Sequence, residues 1–159
     1  MPSALRLRTK IKNEFNPPLY DYDYKLQLNQ MLSSLIKSAD WKAEKHVPAI
    51  TLLSPFKPGE PLEVEVSVGS GIPHPNTVEH HIAWIALYYV AEGSQLPVEL
   101  ARAEFSAHGP DIFTEPVLRT KIRIPPTRIS NSNSFGTLHA VAYCNLHGLW
   151  ESELDLIKC

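Results

Sequence analysis

From Val47 onward the sequence predicts an all-β chain, an immunoglobulin-like sandwich of about seven strands behind an N-terminal extension. Three observations lead there. The chain breaks into short β-rich runs divided by Pro and Gly, the residues that end strands and shape turns. Two of those runs alternate apolar and polar residues with the period of two that a half-buried strand requires. The 14 prolines suit strand edges and turns, and no repeat or low-complexity tract interrupts the pattern.

The elements follow in order. VPAITLLSP runs to the turn KPGEP, and LEVEVSVG then sets Leu62, Val64, Val66 and Val68 against Glu63, Glu65 and Ser67. HHIAWIALYYV is apolar on both faces, which marks a central strand. VELARAEFSAHG comes next, then PVLRTKIRIPP, where Leu118, Thr120, Ile122 and Ile124 oppose Arg119, Lys121 and Arg123. TLHAVAYC and WESELDLI complete the set. Residues 40–159 are read as this sandwich and residues 1–39 as the extension. Within the extension, MPSALRLRTKIKN is basic, NPPLYDYDY is turn-rich, and LQLNQMLSSLIKSADW, which reaches Trp41, has the apolar spacing of a short helix. The acids Glu14, Asp21 and Asp23 argue against an organelle-import peptide, so the reading is a disordered or docking extension.

Composition narrows the function classes. With 159 residues, 43% hydrophobic and 20% charged, the chain matches one soluble domain with its own core. A net charge of -2 gives no reason to propose nucleic acid as a partner. No apolar run reaches the roughly 18 to 20 residues of a membrane span, and the first 30 residues lack the apolar centre of a secretory signal. The two cysteines, Cys144 and Cys159, are too few for a disulfide framework and fit a reducing compartment. The expectation is therefore a cytoplasmic protein without a membrane anchor.

The chemistry concentrates in GIPHPNTVEHH, which places three histidines in eight positions before the most apolar strand. His74 lies between Pro73 and Pro75, whose fixed backbone lowers the entropy cost of aiming its side chain. His80 and His81 are adjacent at a strand start, where neighbouring side chains point to opposite faces. One metal ion takes one of them, and spacing alone leaves the choice open. His46, in Glu44-Lys45-His46, begins the first β run, while Cys144 and His147 flank the turn CNLHG in a Cys-x-x-His spacing common in metal sites. His108 and His139 have no neighbouring partner in sequence and read as surface or satisfied core residues. Trp84, Tyr143 and Trp150 read as core aromatics packed around the site, Asn76 and Thr77 as residues shaping the His74 loop, and Glu79 and Asn145 as unassigned neighbours of the ligands.

The segments DWKAEKHVPAI, GIPHPNTVEHHIAWIALY, AEFSAHG, TEP and AYCNLHGLWESEL, in that order, resemble the superoxide reductase family, the neelaredoxins and the catalytic domain of desulfoferrodoxins. The resemblance covers about residues 40–157. It implies an immunoglobulin-like sandwich that holds one non-haem iron and reduces superoxide to hydrogen peroxide. The family pattern assigns the equatorial nitrogens to His46, His74, His80 and His147 and the axial thiolate to Cys144, and it selects His80 over His81. It places Glu44 as the carboxylate that closes the sixth position in ferric members and Lys45 as the lysine near the open position. It also implies an electron donor such as rubredoxin or another reductant, and assembly as a homodimer or homotetramer. The extension has no cysteine among its 39 residues, so the four-cysteine module of two-iron members is absent and one iron is expected.

Other readings fit the residues less well. A copper electron carrier wants a weak axial methionine soon after its last histidine, and the only methionines are Met1 and Met31. A structural zinc site uses four ligands, where five candidates stand here. A non-catalytic metal-binding or electron-transfer sandwich is the alternative, opposed by the joint presence of Glu44 and Lys45.

Overall fold

The computed structural model describes residues 31–126 and 134–157. A compact unit begins at Leu35 and holds two sheets. Its strands are β1 (Lys37–Ser38), β2 (Pro48–Leu52), β3 (Pro61–Val68), β4 (Ile82–Ala91), β5 (Val98–Glu104), β6 (Val117–Arg123), β7 (Ser134–Cys144) and β8 (Gly148–Ile157). One sheet runs β1-β8-β7-β4-β5 and the other β2-β3-β6. The seven strands read from sequence are β2 to β8, so the all-β sandwich stands. The eighth, β1, is two exposed residues with no pattern to announce it.

Alternation decides which faces meet. Leu62, Val64 and Val66 of β3 are 1%, 0% and 0% exposed, while Glu63 and Glu65 between them face outward. Full burial of such side chains contributes roughly 1.5–3 kcal/mol each, which makes a one-residue register slip prohibitive. The outward charges reinforce the same register. Glu63 is paired with Lys121 at 2.8 Å and Glu65 with Arg119 at 2.7 Å, each directly across the β3–β6 ladder. Opposite them, Ile85 and Leu87 of β4, Leu138, Ala140 and Ala142 of β7 and Leu156 of β8 are completely buried and fill the space between the sheets.

The short helix expected across Trp41 does not form in its described part. A single 3-10 turn, Leu32–Ser34, and the strand β1 stand there instead, and the start of the predicted helix lies outside the described residues. Met31, Leu32 and Leu35 are exposed, and so short a helix is unstable in water without packing. No helix among the described residues is long and apolar enough to cross a membrane.

Strand polarity gathers the candidate residues at one end of the sandwich. β7 ends at Cys144, β8 starts at Gly148, β4 starts at Ile82, and Ile82 and Gly148 both pair with Cys144. In the other sheet β2 starts at Pro48, paired with Val68 at the end of β3. The Glu44–His46 segment, the β3–β4 loop and the β7–β8 turn thereby meet. Gly69 is required at the start of that loop. Its φ is +92°, and a Cβ there would stand 2.9 Å from the His74 backbone nitrogen.

Candidate metal centre

Four imidazoles form a closed ring. Centroids of successive rings are 4.9 Å apart for His46–His74, 4.6 Å for His74–His80, 4.8 Å for His80–His147 and 4.5 Å for His147–His46. Each successive pair meets edge to face, and His46 and His80 stand across the ring at 5.9 Å. Cys144, fully buried at an inward position of β7, brings its sulfur to the core side. Potential ligand atoms of His46, His74, His80 and Cys144 all lie within 4.8 Å of one another. The Nδ1 of His147 lies 3.0 Å from His46 Nε2, 3.2 Å from His80 Nε2 and 3.5 Å from Cys144 Sγ. His81 is excluded, because its ring stacks on His108 at 3.6 Å.

The donor set fits a metal ion on its own hydrogen bonding. His74 Nδ1 donates to the Pro75 carbonyl at 2.6 Å, so the neutral ring keeps its lone pair on Nε2. That Nε2 is buried and has no hydrogen-bond partner among the described residues. A buried lone pair left unpaired costs free energy, and a cation within the ring removes the cost. His46 repeats the arrangement: its Nδ1 bonds Glu44 Oε1 at 2.6 Å, the carboxylate–histidine pairing that orients metal-bound imidazoles. Glu44 thus occupies the outer nitrogen of His46.

Electrostatics favour the neutral, ligating form at three of the imidazoles. Burial pushes His74 down to about 4 from an ordinary 6.5, opposed by its bond to the Pro75 carbonyl and aided by the charges of His46, His80 and Lys45. His46 and His80 are lowered too, first by burial. The bond to His46 is the main cause that lowers Glu44. The half-buried Lys45 contributes, behind burial, to the lowering at all three histidines.

A pH prediction follows from His74. Below pH 6.5 the unfolded chain takes a proton that the folded site refuses until about pH 4. The stabilising contribution of neutral His74 is therefore complete above the ordinary value and is lost as pH falls through that window. Thermal melts of metal-free protein should show the midpoint falling as pH drops toward 4, with a flatter profile in His74→Phe.

Asn145, only a neighbour in sequence, joins the two halves of the site. Its Oδ1 accepts from the His81 backbone N–H at 2.9 Å, its Nδ2 donates to the Glu79 carbonyl at 2.9 Å, and its own N–H donates to the His81 carbonyl at 3.1 Å. These bonds lock the Cys144–His147 turn to the segment that carries His80. Asn145→Ala should lower metal affinity by about 10- to 100-fold, as loss of supporting hydrogen bonds around a metal typically does, read by competition with a chelator.

The remaining expectations divide. His108 is a buried residue away from the ring, with Nδ1 2.7 Å from Asn76 Oδ1 and Nε2 2.8 Å from the Phe105 carbonyl, and Asn76 donates from Nδ2 to Thr114 O at 2.9 Å. Thr77 caps the loop turn through Oγ1 to the His80 N–H at 3.1 Å. His139 sits at the surface, 3.9 Å from Glu153. Of the three aromatics expected around the site, only Trp150 is there, stacked on His46 at 5.0 Å and 14°. Trp84 and Tyr143 stack on each other instead, with Arg102 over Trp84 at 4.7 Å, because their strand positions alternate with the inward Ile85 and Cys144. Cys159 lies outside the described residues.

Fold and site together define a β-sandwich metalloprotein whose metal-binding centre is built from histidines and a cysteine. The family model for desulfoferrodoxin matches residues 38–153. A superoxide reductase of Pyrococcus horikoshii is 48% identical over 126 residues, covering 79% of this chain and 99% of the relative. A neelaredoxin of Megalodesulfovibrio gigas is 37% identical over 129 residues, covering 76% and 93%. The solved reduced form of the superoxide reductase (neelaredoxin) from Archaeoglobus fulgidus matches with a TM-score of 0.66 at 45% identity, covering 78% of this chain and 99% of that one. The chain belongs to the desulfoferrodoxin family.

Proposed function

We propose that this protein is a superoxide reductase that delivers one electron and, with two protons from water, converts superoxide to hydrogen peroxide at a single non-haem iron. The observation that carries the reading is the ring of His46, His74, His80 and His147 with Cys144 on its core side. Four imidazoles and one thiolate form a borderline-soft donor set suited to iron, and the bound iron would supply the electron. The chain's own groups do the rest. Cys144, as thiolate, donates negative charge from the buried side and favours electron release. Burial keeps His46, His74 and His80 neutral and therefore ligating. Lys45 sets a positive charge beside the ring to draw in a small anion and to order water for proton delivery. Glu44 holds His46 in orientation through the outer ring nitrogen.

The electron donor in this reading is a small redox protein such as rubredoxin or another one-electron reductant, the substrate is superoxide, and the compartment is the cytoplasm. The protein works as a homo-oligomer. Rapid mixing of the iron(II) form with superoxide, followed by peroxide counting, tests the function. One peroxide for each superoxide is expected. Half that ratio would mean dismutation, and no oxidation of the iron would mean a non-catalytic metal-binding protein.

A further inference from the structure

We propose that Lys37 is a positioning residue of this centre, holding two of its imidazoles through their supports and favouring the reduced metal. The proposal rests on the iron reading above. β1 is two exposed residues in parallel pairing with β8, Lys37 opposite Trp150 and Ser38 opposite Glu151. So short and exposed a strand buries almost no apolar surface. What it fixes is the direction of the Lys37 side chain. Its Nζ donates to the His147 carbonyl at 3.2 Å and lies 5.1 Å from the centroid of Trp150. Trp150 in turn stacks on His46 at 5.0 Å, nearly parallel. One ammonium therefore grips the backbone of one ring member and presses the indole that supports its neighbour.

The charge is also uncancelled. Among the described residues no carboxylate forms an ion pair with Lys37, although Lys57, Arg102, Arg119 and Lys121 all have such partners. A cation on the supports of His147 and His46 disfavours the extra positive charge of the oxidised metal. Lys45 acts on the opening of the site; Lys37 acts on its frame.

Lys37→Met keeps the stem and removes both the charge and the donor, whereas Lys37→Arg keeps both. Iron-loaded parent and variants are equilibrated in one redox buffer, and the iron(II):iron(III) ratio and the visible thiolate-to-iron band are recorded. The expected result is a ratio lower by roughly threefold in K37M, the scale of an exposed cation–π contact plus a surface charge interaction, with a shifted band. K37R should restore both. A K37M protein with full iron content, parental ratio and parental band overturns the proposal, and so does a K37R protein displaced as far as K37M. Absence of the band in the parent refutes the iron reading itself, a different failure from an unresponsive K37M.

Discussion

Cys144→Ser is expected to abolish the visible thiolate-to-iron absorption of the oxidised protein and to cut superoxide reduction by at least about a hundredfold, more than removal of a supporting hydrogen bond costs. The sulfur is completely buried at the end of β7, within 3.5 Å of His147 Nδ1 and in one cluster with His46, His74 and His80. No other cysteine is found among the described residues. A serine hydroxyl matches the shape closely but stays protonated at neutral pH and is a harder, weaker donor. The fold should survive, because the core around this position is made by Ile82, Leu138, Ala140 and Ala142, which the change leaves intact. Absorption spectra of iron-loaded wild type and variant give the answer, with iron content measured on both. A band that persists in the variant would remove Cys144 from the ligand set.

Lys45→Ala is the second large effect. Superoxide is a small anion, and the Lys45 charge contributes to lowering three of the imidazoles, His46, His74 and His80. In a site with a mostly neutral donor set, that cation supplies the local attraction that raises encounter rates by about 10- to 1000-fold in focused clefts. The second-order rate constant should fall by about tenfold or more, and its dependence on ionic strength should flatten, since screening acts on the charge that has been removed. Iron content should be unchanged. Stopped-flow rates across a salt series check both points, and equal rates at every salt concentration would dismiss Lys45 from the approach of substrate.

Much of this was legible in the sequence because two periodicities and one motif combination carry it. The alternation in Leu62–Val68 and in Leu118–Ile124 dictated faces as well as strands, and the register pairs Glu63 with Lys121 and Glu65 with Arg119 as those faces demand. Spacing could not separate His80 from His81. The choice depends on contacts made 64 and 67 residues away: the Asn145 side chain fixes the His81 backbone, and His147 meets the ring of His80. Local patterns contain no such information.

The same limit hid β1 and Lys37, whose meaning comes from parallel pairing with β8 and a hydrogen bond to the His147 carbonyl 110 residues away. The predicted helix failed for the opposite reason. Its apolar spacing is real, but Met31, Leu32 and Leu35 are exposed, and spacing without burial does not hold a short helix. Trp84 and Tyr143 stand elsewhere because each neighbours a fully buried inward residue, Ile85 and Cys144, and so takes the other face of its strand.

X-ray absorption at the iron edge of the reduced, iron-loaded protein tests the central claim most directly. The account predicts one sulfur and four imidazole nitrogens around a single iron, with the sulfur contribution lost in Cys144→Ser. A first shell without sulfur, or Cys144 consumed in a disulfide with Cys159, would contradict it.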